Sequence, residues 1–195
     1  MKPKPIELVF ATNNPNKIKE IQSMIPLHIK LLSLKDIGCT EDIPETAETI
    51  DGNAIKKAEY VKNKFGYDCF ADDTGLEVDA LDGDPGVHSA RYAGEDKNDE
   101  ANVEKLLREM KGKKDRRARF KTVIALNLEN HELLFTGICP GSITQEKRGT
   151  HGFGYDPVFQ PEGHDQTFAE MELQEKGKLS HRGKATRELV DYLCL

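Results

Sequence analysis

The sequence predicts a mixed α/β fold with some antiparallel pairing, and three observations predict it. Short apolar runs alternate with amphipathic helical stripes along the chain. One long stretch, Ala118 to Leu128, alternates apolar and polar side chains at period two and is followed by a turn and a second strand. No internal repeat, low-complexity tract or obvious linker interrupts the pattern. An antiparallel hairpin of that length argues against a purely doubly wound parallel sheet.

The elements follow in order. Ile6 to Ala11 is a short apolar strand, the polar loop Thr12 to Lys17 follows, and Ile18, Ile21, Met24 and Ile25 then recur at helical spacing. A second strand covers Ile29 to Leu32. A longer helix runs from about Thr49 to Phe65, with Ile50, Ala54, Ala58, Val61 and Phe65 on one stripe and Gly66 as its stop. Cys69-Phe70-Ala71 is a brief strand running into Asp72-Asp73-Thr74-Gly75, after which Leu76-Glu77-Val78 is expected to pair back as a hairpin. Asn98 or Asp99 caps a helix bearing Val103, Leu106, Leu107 and Met110. The strand over Ala118 to Leu128 turns at Glu129-Asn130-His131 into Leu133 to Cys139, and a last helix spans roughly Arg182 to Leu193.

Composition narrows the function classes. At 195 residues, with 37% hydrophobic and 32% charged side chains, the chain can bury a sizeable core without a disulfide or metal staple. Cys39, Cys69, Cys139 and Cys194 are scattered, with no zinc-type spacing, which favours a reduced, cytosolic protein. No apolar run approaches the roughly 18 residues of a membrane span, and Met1-Lys-Pro-Lys-Pro5 leads into a strand and not into a signal-peptide core. The net charge of −6 disfavours a protein that grips duplex DNA along its backbone. A small anionic ligand would need locally gathered Lys and Arg, a metal ion, or both.

Four segments carry chemistry. Thr12-Asn13-Asn14-Pro15-Asn16-Lys17 places backbone N–H groups, a helix N-terminus and a lysine where an anion is favoured, although an Asn/Pro turn with a solvated lysine fits the same residues. Asp72 and Asp73 are adjacent carboxylates after an apolar strand, able to hold Mg²⁺ and polarise a water, with Glu45 and Glu48 as acidic company. In the helix that follows those glutamates, Asn53 and Lys57 lie four apart on one face. Gly149 to Pro157 spaces aromatic residues with glycine, so that Phe153 offers a flat surface for a base and Asp156 an acceptor for ring N–H groups, or else the rings plug the core. Lys176, Lys178, Ser180, His181 and Arg182 gather donors at the start of the last helix, where Ser180 also suits an N-cap. The run Lys111 to Lys121 holds seven basic residues in eleven; it suggests nucleic acid, or more simply the solvent face of a strand.

Taken together, Thr12-Asn13-Asn14-x-x-Lys17, Ala71-Asp-Asp-Thr-Gly-Leu76, Pro85-Gly-Val-His-Ser-Ala-Arg-Tyr92, Gly152-Phe-Gly-Tyr-Asp-Pro-Val-Phe159 and Ser180-His-Arg182 resemble the inosine triphosphate pyrophosphatase family, in order and spacing, from about Ile6 to Leu193. The resemblance implies one domain of two lobes, built on a long mixed central sheet with helices, around an active-site cleft. It implies Mg²⁺-dependent hydrolysis of ITP, dITP and XTP to the monophosphate and pyrophosphate, by a cytosolic homodimer that binds no nucleic acid and no membrane. Residue by residue, it puts Thr12, Asn13, Asn14, Pro15, Asn16 and Lys17 on the triphosphate. Asp73 becomes general base and metal ligand, Glu45 the second ligand, Asp72 a supporting acid, and Thr74 a substrate contact. Asn53 and Lys57 assist with metal-bound water and phosphate. Phe153 stacks on the base within Phe153-Gly154-Tyr155-Asp156, and Asp156, Lys176, His181 and Arg182 surround the base edges.

Three residues depart from the family pattern. Thr74 stands where Ser is frequent, Pro44 precedes Glu45 where two acids are frequent, and His151 stands where glycine is common. Other modified nucleotides, pyrimidines included, are the nearest alternative substrates. A single-stranded nucleic-acid-binding module using Lys111 to Lys121 and Phe153 is the rival from another class.

Overall fold

The computed structural model describes residues 6–194, so the reading of Met1 to Pro5 lies outside the described residues. Seven strands form one mixed sheet: β1 (Ile6–Phe10), β2 (Ile29–Leu32), β3 (Cys69–Val78), β4 (Pro85–Gly86), β5 (Arg117–Leu128), β6 (His131–Ile143) and β7 (Phe159–Pro161). The five helices are α1 (Pro15–Gln22), α2 (Ile50–Phe65), α3 (Asp99–Glu109), α4 (Leu173–Leu179) and α5 (His181–Leu193). The strand order is β2-β1-β3-β5-β6-β7, with β4 beside β3. Strand β1 pairs in parallel with β2 and β3, whereas β3 with β4 and β6 with β7 are antiparallel. The mixed α/β expectation therefore stands.

The chain divides into two compact units. One comprises 6–73, Thr122–Gly137 and 182–194, and the other Thr74–Lys121 and Ile138–His181. In the first, Leu8, Phe10, Phe70, Ile124 and Leu126 from the strands pack with Ile21 of α1 and with Ala185 and Leu189 of α5. The Phe10 and Phe70 rings stack at 4.6 Å, from neighbouring strands. In the second, Leu76, Val78, Phe120, Cys139 and Phe159 pack with Val103, Leu106 and Met110 of α3 and with Phe168.

Helix α2 is specified locally. Thr49 caps it by accepting the Gly52 N–H at 3.0 Å, and Gly66 ends it at φ 76°, a left-handed conformation that glycine adopts without penalty. Of the periodic stripe, Ile50, Ala54, Ala58 and Val61 are buried and Phe65, at the helix end, is half-buried. Neighbouring positions Asn53 and Lys57 are buried as well, and a polar pair inside an apolar face needs partners.

Two elements differ from the sequence expectation. Strand β3 continues unbroken through Asp72-Asp73-Thr74-Gly75, so Leu76 to Val78 does not fold back on Cys69 to Ala71. Its pairing on that stretch is with β4, Leu76 opposite Gly86 and Glu77 opposite Pro85. The donors near Ser180 also divide differently: Lys176 and Lys178 belong to the separate helix α4, and Ser180 is its C-cap, extended at φ −70° and ψ 159°. Among the basic residues of Lys111 to Lys121, Arg116 donates to the carbonyls of Ile143, Met110 and Thr144, Arg117 pairs with Asp115, and Arg119 with Glu77. Among the described residues no helix is long and apolar enough to cross a membrane.

Candidate active site

The first unit gathers a chain of buried charges around β3. Successive side chains of a strand point to opposite faces, so Asp72 and Asp73 meet different partners. Asp72 is fully buried and binds Lys17 Nζ at 3.1 Å and Arg182 Nε at 3.2 Å. Arg182, 2% exposed, also binds Glu20 Oε2 through Nη1 at 2.5 Å. Burial alone would raise the Asp72 pKa, but Lys17 and Arg182 more than reverse it and hold the carboxyl far below the usual carboxylate range. Burial lowers the pKa of Lys17 despite Asp72, with the nearby charges of Lys57 and Arg182 adding to the effect.

On the other face, Asp73 Oδ1 lies 3.5 Å from Lys57 Nζ, which also holds Glu45 Oε1 at 2.8 Å. Asn53 donates to Asp73 Oδ2 at 3.3 Å and accepts the Ala47 N–H at 2.9 Å, which ties the segment carrying Glu45 to helix α2. Asp73 has its pKa raised, by burial first, with Glu45 and Asp72 adding like charge against the pull of Lys57 and Lys17. Lys57 is shifted upward, because Asp73 and Glu45 outweigh its burial. Two carboxylates, Glu45 and Asp73, share the single ammonium of Lys57, an oxygen-rich arrangement that suits a hard cation. Among the described residues no three His, Cys, Asp or Glu side chains converge to hold a metal ion. A cation here would therefore take Glu45 and Asp73 and complete its shell with water and phosphate oxygens, the usual habit of Mg²⁺.

The loop into α1 is built by its own side chains. Asn14 caps the helix by accepting the N–H groups of Asn16 at 2.9 Å and Lys17 at 3.2 Å, Pro15 occupies the first helical turn, and Thr12 Oγ1 accepts the Asn14 N–H at 3.1 Å. Asn13 donates to Asp42 Oδ1 at 3.2 Å. Two N–H groups that a bare helix end would present to an anion are thus capped by Asn14, and the loop's full positive charge is that of Lys17, paired with Asp72.

The second unit gathers an aromatic group. Asp156 Oδ2 accepts the Phe153 N–H at 3.0 Å and binds Lys176 Nζ at 2.6 Å, and the Lys176 ammonium lies 5.1 Å from the Phe153 ring centre and 5.4 Å from that of Phe168. Gly152, at φ 74°, admits this turn, since a Cβ there would sit 2.0 Å from Asp156 Oδ2. His181 stacks on Phe120 at 4.4 Å and is 3% exposed. Tyr155 donates its hydroxyl to the Ser89 carbonyl at 2.7 Å. His151 reaches the Met171 carbonyl through Nδ1 at 3.1 Å. Thr74, the first residue of this unit, is partly buried in β3.

Lys17, Glu45, Asn53, Lys57, Asp73 and Arg182 therefore lie in the first unit, and Phe153, Gly154, Tyr155, Asp156, Lys176 and His181 in the second. Arg182 is held by ion pairs with Asp72 and Glu20, and Asp156 uses its carboxylate to fold the Phe153 turn and hold Lys176. Glu20 escaped the sequence reading; the available signal was an acid directly beside Ile21 in a short helix whose inward positions are otherwise apolar.

The model of the Ham1 family matches residues 8–192. A dITP/XTP pyrophosphatase of Christiangramia forsetii is 66% identical over 96% of this chain and 99% of its own length. One of the same description from Flavobacterium psychrophilum is 65% identical, over 96% and 98%. The solved structure of the Staphylococcus aureus Ham1 protein superposes with a TM-score of 0.87 at 40% identity, covering 96% of this chain and 97% of that one. With a family match along nearly its whole length and relatives this similar, the chain belongs to the Ham1 family.

Proposed function

We propose that the chain hydrolyses non-standard purine nucleoside triphosphates, dITP, ITP and XTP, to the monophosphate and pyrophosphate, and so keeps them out of DNA and RNA. The names of its relatives support this reading, and the observation that carries it is the Glu45–Lys57–Asp73 cluster. A triphosphate carries about four negative charges, and hydrolysis at phosphorus depends on positioning and charge neutralisation more than on covalent help. Lys17 and Lys57 supply fixed positive charge on protein elements that are already in place.

Asp73 takes the proton of the attacking water, whose oxygen bonds to the α-phosphorus as the bond to the pyrophosphate oxygen breaks. Asn53 and Lys57 fix the Asp73 carboxylate in place for that role. Glu45 and Asp73 would hold Mg²⁺, which would supply further neutralisation of the triphosphate. For the base, Phe153 gives the stacking face, and Lys176 and His181 are donors suited to the 6-oxo group that hypoxanthine and xanthine carry and adenine lacks. The same reading has the protein working as a homodimer in a reduced, cytosolic compartment.

The test is incubation with dITP, dGTP and dATP in Mg²⁺, assaying phosphate and pyrophosphate. Pyrophosphate release that favours dITP is expected; orthophosphate alone, or equal rates on all three, overturns the reading.

A further inference from the structure

We infer that Asp99, the first residue of α3, is a positioning residue for the nucleobase, because it fixes the loop that presents Phe153. The inference rests on reading Gly152–Asp156 as the base-binding loop. Three consecutive residues of that loop have separate anchors. The Phe153 N–H donates to Asp156 Oδ2 at 3.0 Å, the Gly154 N–H donates to Asp99 Oδ2 at 2.8 Å, and the Tyr155 hydroxyl donates to the Ser89 carbonyl at 2.7 Å. Gly154 is at φ 58° with open space where a Cβ would stand, so a left-handed conformation, and not crowding, is what calls for glycine there. A residue with that freedom, directly after the stacking ring, is where an external hydrogen bond restricts the loop most.

Helix α3 is built to supply it. Asn98 caps the helix by accepting the Ala101 N–H at 2.9 Å, which fixes the turn that bears Asp99. A carboxylate in the first helical turn is favoured by the helix dipole, which suits an acidic side chain at the position of Asp99. Asn102, one turn on and on the same face, accepts the Ala93 N–H at 2.7 Å and donates to the Ala90 carbonyl at 3.0 Å. That pair fixes the segment carrying Ser89, whose carbonyl receives Tyr155. One helix face therefore holds Gly154 directly and Tyr155 through Ser89. Asp99 itself is exposed and belongs to no apolar cluster, so its part in the fold is confined to these polar contacts.

The experiment compares Asp99→Ala and Asp99→Asn with the wild type, by steady-state kinetics on dITP with Mg²⁺ and by thermal melting. Asp99→Ala is expected to raise KM on the order of tenfold, as befits the loss of one charge-assisted hydrogen bond, with kcat within about twofold and melting little changed. Asp99→Asn keeps an oxygen acceptor and is expected to restore KM to near the wild-type value. An unchanged KM in Asp99→Ala, or a lowered melting temperature without a KM effect, overturns the inference, and so does an Asp99→Asn as impaired as Asp99→Ala. A wild type with no turnover of dITP overturns the proposed function and this inference with it, whereas an active wild type matched by Asp99→Ala overturns the inference alone.

Discussion

Asp73 and Arg182 are both buried charges in the first unit, and their substitutions are expected to fail in different ways. Asp73 is only partly neutralised, because its Lys57 partner is shared with Glu45. Asp73→Asn keeps the size and the contact to Asn53, so the fold should survive while kcat on dITP falls by roughly a hundredfold or more, the scale of a lost general base. Arg182 instead neutralises Asp72 and Glu20. Arg182→Ala would leave two buried carboxylates short of a partner, which costs about 3–5 kcal/mol and should appear as an earlier urea midpoint. Measuring kcat and the urea midpoint for both variants separates the roles. A stable, inactive Arg182→Ala, or an active Asp73→Asn, would reverse the assignment.

At the level of elements, the β5–β6 hairpin shows where local sequence and fold disagree. Its two-residue turn puts Glu129 at φ 49° and Asn130 at φ 64°, both left-handed, and only the asparagine is suited to that. The turn is nonetheless held, because the Glu129 N–H donates to Asp68 Oδ1 at 3.0 Å and Lys62 of α2 binds the same oxygen at 2.7 Å. Glu129→Asn with Asn130→Gly keeps that N–H and supplies the residues such a turn prefers, so it should raise the unfolding free energy by about 1 kcal/mol. An unchanged or lower urea midpoint would show that the glutamate side chain itself stabilises the turn. Helix α2 was legible because Thr49, the apolar stripe and Gly66 act over one or two turns. The continuity of β3 was not, since aspartate is a poor strand former and the groups that neutralise Asp72, Lys17 and Arg182, stand 55 and 110 residues away. The break between α4 and α5 was hidden for a different reason, as Ser180 both closes α4 and stands, extended, directly before α5, and the sequence shows only its suitability to open a helix.

Across the whole molecule, the net charge of −6 misleads until the charges are located. Candidate site residues were visible where their type and spacing are unusual, as with Asp72-Asp73 or Asn53 and Lys57. Glu20, Asp99 and Asn102 were not, because each acts by holding another segment, and nothing short of the folded chain shows which. The same distribution of charge predicts what removing metal should do. Lys57 lies against both Glu45 and Asp73, and Asn53 ties Asp73 to the chain, so the chain's own side chains brace the cluster. Each unit has its own apolar cluster, and neither depends on that site. EDTA is therefore expected to abolish dITP hydrolysis while moving the melting temperature by less than about 3 °C, the shift that roughly 1 kcal/mol produces at this size, and excess Mg²⁺ should restore activity. Unfolding in EDTA would make the cation a structural staple, and hydrolysis that persists in EDTA would remove it from the reaction and leave Lys17 and Lys57 as the positive charge that acts on the triphosphate.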